Sequence, residues 1–308
     1  MKFQHIGVIG YGEVGRIFSA GLKAQVASTH VWDLKFEVPE HRDAALAHVS
    51  AAGVMAGGSL AEVCTRADML ISAVTASNTL AVAQEAAPHL RPGTVFLDLN
   101  SASPGTKQQA AALINAAGGH YVEAGVMTSV PPYGIRVPML LGGERAADLS
   151  AVLQAWGMDA KAVSADVGVA SAIKMCRSVM IKGLEALVIE SYTTARAYGV
   201  EDHVLPTLAE TFPSIDWAQT GAYFFSRVVQ HGQRRVEEMH EAANTVREAG
   251  FEPYMASAIA DKQQWVADQA RAGVFDGVGK GASWQAFADR LLLQRQSATD
   301  TNNDAKGV

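Results

Sequence analysis

A doubly wound parallel α/β sheet followed by an all-α domain is the architecture this sequence predicts, on three observations. Short apolar runs alternate with helix-length segments through residues 1–163, the order that builds a parallel sheet with right-handed crossovers. A glycine-rich stretch, "GYGEVG", sits between the first of those runs and an amphipathic segment. Beyond "AKAVSADVG" the strand-like runs stop and apolar residues recur at helical spacing. A chain of 308 residues suits two domains rather than one.

The elements follow in order. "HIGVIG", "STHVWDL", "DMLISAV" and "TVFLDLN" are apolar, bounded by Gly, Asp or Asn, and separated by lengths that fit crossover helices. "HYVEAGV" and "PMLLGG" read as two further strands of the same parallel sheet. From Val169 to Tyr198 there is no Pro and one Gly, with Ile173, Val179, Leu184, Leu187, Val188 and Tyr192 at helical spacing. That predicts one long helix stopped by Gly199. Residues 199–295 read as helical. Residues 296–308, "QSATDTNNDAKGV", are polar and read as a disordered tail. The expected domains are therefore 1–163, 164–295 and the tail 296–308.

Composition narrows the function. Apolar residues make up 49% of the chain and charged residues 18%, enough for a substantial core. A net charge of -6 with no long basic run argues against nucleic acid as a partner. Cys64 and Cys176 have no CxxC or Cys/His pairing at metal spacing, so reduced thiols and no metal are expected. No signal peptide is recognisable. The most apolar helical stretch, residues 179–189, is broken by Lys182 and Glu185, which argues against a membrane span. A cytoplasmic protein is expected.

Gly10, Gly12 and Gly15 fit G-x-G-x-x-G between a strand and a helix. The first permits the tight turn, the second lets backbone approach a pyrophosphate, and the third lets helix and strand pack closely. The backbone of Gly10, Tyr11, Gly12, Glu13, Val14 and Gly15 would then cradle a dinucleotide at a helix N-terminus. Asp33 ends the second strand, where a carboxylate can accept hydrogen bonds from adenosine ribose hydroxyls and repel a 2′-phosphate. NAD is favoured, with Lys35 keeping NADP in play. The alternative is three turn glycines and a solvated Asp.

Asn100 and Ser101 fall at the carboxyl end of the fourth strand run, where open α/β sheets place ligands. They could orient a hydroxyl or carboxylate, or simply form a turn before Pro104. Val74 and Thr75 follow "LISA" at a neighbouring strand end, on the expected nicotinamide side. Lys174 lies early in the long apolar helix, just past the domain junction. A partly desolvated lysine there can exchange a proton with an alcohol. The competing reading is a lysine whose stem packs while its ammonium reaches water.

Taken together, these segments resemble the β-hydroxyacid dehydrogenase family over nearly the whole chain. "GVIGYGEVG" is similar to the family's start and "DLNSASP" to its D-x-S-T-x-x-P segment. "VEAGVMTSVPPYGIRVPMLLGG" is similar to its substrate loop, and "GVASAIKM" to the segment carrying its catalytic lysine, which falls on Lys174. "GKGAS" resembles the late K-D-F-S segment, whose lysine reaches the cofactor, so the resemblance gives that role to Lys280. It implies a Rossmann domain for residues 1–163 and a helical substrate and dimerisation domain for 164–295. It also implies a homodimer joined through the helical domains.

The departures bear on substrate. The family's S-G-G becomes Met127-Thr128-Ser129, which sets Thr128 and Ser129 beside the substrate. The Asn four residues after the lysine is Ser178, preceded by Arg177. The usual K-D-L is Glu237-Glu238-Met239, just after "RVVQHGQRR". His231, Arg234 or Arg235, and Glu238 share a helical face. The run resembles a subfamily carrying a distinct C-terminal domain of unknown function. His231 and Arg235 would bind a polar or anionic substrate, or else form a solvated face of i,i+4 salt pairs. The resemblance implies hydride transfer between nicotinamide and a β-hydroxy acid or related alcohol, with Lys174 as general acid/base, and the departures point to a larger or aromatic substrate. Two rivals stand beside it. One is an imine reductase-like enzyme, against which Lys174 speaks; the other is a non-catalytic NAD(H)-binding sensor.

Overall fold

The computed structural model describes residues 1–304, with side chains to residue 296. Two compact units divide the chain: Met1–Cys176 with Arg247–Phe251, and Arg177–Val246 with Glu252–Val308. The division falls inside a long helix, rather than near residue 164 where the periodicity changes.

The first unit begins with β1 (His5–Ile9), α1 (Glu13–Leu22), β2 (Ser28–Trp32), α2 (Pro39–Ala52) and β3 (Met55–Ala56). It continues with α3 (Leu60–Arg66), β4 (Met69–Ser72), α4 (Thr79–Ala86), β5 (Val95–Asp98) and α5 (Pro104–Ala116). Then come β6 (His120–Val126), β7 (Met139–Gly142), α6 (Ala146–Ala155) and β8 (Ala160–Ser164). The strands form one eight-stranded sheet in the order β3-β2-β1-β4-β5-β6-β7-β8. Apolar runs without alternation are what a sheet covered on both faces requires, and β4 and β5 are buried along their length.

Three features differ from the sequence reading. β7 runs antiparallel to β6, because their connection carries Pro131, Pro132 and a single tight turn rather than a crossover helix. β3 is a two-residue exposed strand, too short to leave a periodic signal. β8 takes up "AKAVS" as an edge strand parallel to β7. The core beneath this sheet includes Ile6, Val8, Phe18, Leu70, Leu97, Val122 and Leu141.

The long helix α7 (Val169–Tyr198) starts in the first unit and continues in the second. The second unit adds α8 (Glu201–Thr211), most of α9 (Trp217–Glu248), α10 (Tyr254–Arg271) and α11 (Trp284–Asp304). Helix α11 carries the chain through Asp304, so residues 296–304 are helical rather than the expected disordered tail; residues 305–308 lie outside the described residues. The core of this unit centres on Tyr192 and Trp284, packed edge to face with centroids 4.9 Å apart. The Tyr192 hydroxyl donates to the Trp217 carbonyl at 3.0 Å, so its one polar atom is satisfied inside the core.

The segment Arg247–Phe251 belongs to the first unit and does a specific job there. The Glu248 carboxylate accepts from the Ser103 hydroxyl at 2.6 Å and from the Gly105 N–H at 2.8 Å. A negative charge thus caps the N-terminus of α5, where unpaired N–H groups and the helix dipole favour it.

Candidate active site

The glycine loop is shaped as the spacing predicts. Gly10 has φ +91°, a backbone region that other residues rarely adopt, and its N–H donates to the Trp32 carbonyl at 2.9 Å. A Cβ on Gly15 would lie 1.9 Å from the Gly10 carbonyl oxygen, so α1 can approach β1 only with glycine there. Above Gly12, at the N-cap of α1, a Cβ would meet nothing within 4 Å. A turn closed on one side and open at the helix N-terminus fits a dinucleotide pyrophosphate.

Asp33 lies at this loop. Its carboxylate accepts from the Tyr11 N–H at 2.6 Å and from the Lys35 N–H at 2.9 Å. A carboxylate can accept more than these two bonds. The Tyr11 side chain is buried, with its hydroxyl on His48 Nδ1 at 3.1 Å, and its carbonyl accepts from Arg16 Nε at 3.3 Å. Glu13 is exposed and Val14 half-buried in the first turn of α1.

Along the carboxyl ends of the strands, Ser72, Asp98 and Glu123 stand in register on β4, β5 and β6. All three are buried. Asn100 reaches across this row: its Oδ1 accepts from the Val74 N–H at 2.8 Å and its Nδ2 donates to Ser72 Oγ at 2.9 Å. Asn100 therefore ties the loop after β4 to the loop after β5. Its side chain is committed to that tie. Thr75 is exposed beside it and accepts from Asn78 Nδ2 at 2.8 Å.

Each of the two buried carboxylates fixes one side of the next loop. Asp98 accepts from the Asn100 N–H at 2.8 Å, the Tyr121 hydroxyl at 2.5 Å and the Lys107 ammonium at 3.0 Å. Burial and then the Asp98 charge hold the Tyr121 hydroxyl well above its ordinary pKa, so it remains a donor. Glu123 accepts from the N–H groups of Gly168 (2.7 Å), Ala170 (2.9 Å) and Ser171 (3.3 Å), capping the N-terminus of α7 from within the sheet. Gly125, two residues along β6, lets α7 lie close: a Cβ there would sit 2.9 Å from the Ala170 carbonyl and 3.5 Å from Lys174 Cβ.

The residues so anchored meet. The half-buried Lys174 ammonium donates to Ser101 Oγ at 2.5 Å, at the carboxyl end of β5. An amine and a hydroxyl in contact at this edge of a parallel sheet can pass a proton to or from an alcohol placed beside them. The sequence reading identified Lys174 and Ser101 but missed Glu123, Asp98, Lys107 and Tyr121. A signal existed: "FLDLN" and "HYVEAGV" each place a carboxylate inside an apolar strand, a position it occupies only when paired.

The other expected site residues divide. In the substrate loop Thr128 is exposed and Ser129 half-buried, while the Met127 N–H donates to the Pro138 carbonyl at 2.9 Å and extends the β6–β7 pairing. Arg177 is exposed; Ser178 is buried and accepts from Lys182 Nζ at 3.2 Å. Arg235 is buried and paired with the buried Glu185 at 2.8 Å, so it belongs neither to a solvated helix face nor to an open binding surface. Arg234, beside it, is exposed and lies 3.7 Å from Glu238. His231 is half-buried, and burial together with Arg227, Arg234, Arg235 and Lys280 pulls its pKa down to about 4. The Lys280 side chain is exposed, and its carbonyl accepts from Ser226 Oγ at 2.9 Å.

Cys64 is buried with its thiol pushed up to about 12, and Cys176 is exposed; neither is in a disulfide. Among the described residues no group of three or more His, Cys, Asp or Glu could hold a metal ion, and no helix is long and apolar enough to cross a membrane.

Residues 5–164 match the model of the NAD binding domain of 6-phosphogluconate dehydrogenase, just over half of the chain. A conserved hypothetical protein from Sinorhizobium meliloti is 38% identical, with 94% of this chain and 95% of that chain covered and a TM-score of 0.75. A conserved protein of unknown function, described as structurally similar to 3-hydroxyacid dehydrogenases, is 29% identical over 90% of this chain and 99% of its own, with a TM-score of 0.68. The chain belongs to the β-hydroxyacid dehydrogenase family. The 3-hydroxyisobutyrate dehydrogenase of Mycobacterium tuberculosis, solved with L-serine, shares the fold at 18% identity, with 88% of this chain and 96% of that chain covered and a TM-score of 0.69. Within this family the C-terminal part is divergent: residues 195–266 match a domain of unknown function (DUF1932). The family and its NAD-binding domain make the protein an oxidoreductase with a nicotinamide cofactor.

Two predictions follow from the buried charges. Lys107→Met leaves the Asp98 carboxylate without its ammonium partner and is expected to lower stability by about 3–5 kcal/mol in chemical denaturation; an unchanged midpoint would show that the pair contributes nothing. His231 binds its proton more weakly folded than unfolded, so the unfolded chain takes up the extra proton. Stability is therefore lost as pH falls from about 6.5 toward 4. Melting curves across that window should flatten in His231→Gln, and an equal slope in both proteins would remove His231 as the cause.

Proposed function

We propose that the protein catalyses reversible NAD-dependent oxidation of a β-hydroxy acid or related alcohol, with Lys174 as general acid/base. The observation that carries this reading is the contact of the Lys174 ammonium with Ser101 at the carboxyl end of β5, on a helix end held by Glu123. In oxidation Lys174 removes the hydroxyl proton of the substrate; in reduction it returns it. Ser101 orients that hydroxyl, and Thr128 and Ser129 contribute to substrate binding. Acid–base help of this kind is worth roughly 100- to 10,000-fold, with positioning supplying the rest.

The nicotinamide, when bound, accepts or donates the hydride. Gly10 shapes the turn, the backbone N–H groups of Gly12, Glu13, Val14 and Gly15 at the start of α1 would hold the pyrophosphate, and Asp33 would hold the adenosine ribose. Val74 and Thr75 would support the remainder, and Asn100 acts by fixing the Val74 loop. A 2′-phosphate would face the Asp33 charge, which favours NAD over NADP.

The measurement is NADH and NADPH absorbance across a panel of β-hydroxy acids, sugar acids and aryl alcohols. Wild type should turn over at least one of them with NAD preferred. Lys174→Ala should keep NADH binding while turnover drops about 100-fold or more. Near-normal turnover in that variant ends the proton-transfer role. NADH binding without turnover of any substrate would point to a non-catalytic NAD(H) sensor.

A homodimer fits the same reading. Helix α7 leaves Ile173, Met180 and Leu187 exposed, a stripe of large apolar side chains that a second copy would cover. Light scattering at micromolar concentration should give twice the 32.5 kDa of one chain; a single-chain mass would rule the dimer out.

A further inference from the structure

The second unit carries a charge cluster that the proton-transfer chemistry does not use. Arg227, His231, Arg234 and Arg235 fall on one side of α9, within about a third of the helix circumference. The Ser226–Lys280 hydrogen bond brings the loop ahead of α11 against this part of α9. Lys182 and Arg235 form the inner layer, paired at 2.8 Å with Glu238 and Glu185 respectively. Arg235 Nε is buried without a hydrogen-bond acceptor. Arg234 shares Glu238 at 3.7 Å and is otherwise exposed. The charged groups acting on the His231 ring, Arg227, Arg234, Arg235 and Lys280, are all cationic.

Such a surround repels a further cation and draws an anion. The neutral imidazole can donate one N–H, while a guanidinium and an ammonium supply charge-assisted donors for carboxylate or phosphate oxygens. We propose that this face of α9, together with Lys280, is a binding site for a small oxyanion group, a carboxylate or a phosphate monoester, gripped by Arg234, Lys280 and His231. Arg235 supports the site from below, its own charge held by Glu185. The site lies wholly within the second unit and does not rest on the dehydrogenase reading.

The test is NMR of the His231 ring in the full chain, assigned with His231→Gln. Sodium phosphate and malonate are titrated separately at ionic strength held constant with NaCl. A saturable shift with a millimolar dissociation constant is expected, weakened about fivefold or more by Arg234→Ala or Lys280→Ala. Lys161→Ala, an exposed charge in the first unit, should leave it unchanged. No saturable shift, or equal weakening by Lys161→Ala, overturns the site. A shift with NADH that phosphate competitively reverses keeps the site and identifies a nucleotide phosphate as a group it takes. Because the readout is binding, absence of dehydrogenase activity with an intact titration would remove the dehydrogenase reading and leave the anion site standing.

Discussion

Two neighbouring carboxylates inside the sheet hold the site in place. Asp98 and Glu123 are register partners on β5 and β6, both removed from water. An isolated buried charge would be costly, so each must be met by donors, and each is met by a different piece of the molecule. Asp98 gathers the start of the Ser101 turn, Lys107 of α5 and Tyr121 of β6. Glu123 gathers three backbone N–H groups at the start of α7. The desolvation cost of two charges is thus offset by fixing the two backbone segments that present Ser101 and Lys174 to each other. Removing either carboxylate would leave the backbone segment it gathers without its anchor.

The glycine loop was readable because its geometry is local. A φ of +91° at Gly10 and the Gly15–Gly10 approach each demand glycine at that position, so spacing alone carries the meaning. Lys174 stood out as a charge early in an apolar helix. The β6–β7 reversal, the two-residue β3 and the edge strand β8 were not readable, because short or half-exposed strands leave no clean period. The carboxylates of the sheet looked like breaks in apolar runs; only their donors, far apart in sequence, explain them. Arg235 shows another limit. Helical spacing says which residues share a face and is silent on which way that face turns, so it could not tell that Arg234 is exposed while Arg235 is buried against Glu185.

Charge is organised differently in the two units. In the first, buried ions meet backbone and single partners and are compensated. In the second, Glu185, Arg235, Lys182 and Glu238 form a compact paired layer, and further cations gather beside it around His231. The former arrangement makes a rigid support. The latter leaves a positive field at a half-exposed ring, which suits recognition.

The cap that Glu248 places on α5 makes the dinucleotide-binding unit discontinuous along the gene: its first 176 residues depend on a short return segment beyond position 246. Cutting the chain at the unit border, or grafting another helical domain onto it, would strip α5 of that carboxylate. The two halves therefore do not part at a single cut, and a replacement helical unit would keep this cap only by returning an acid to the same place.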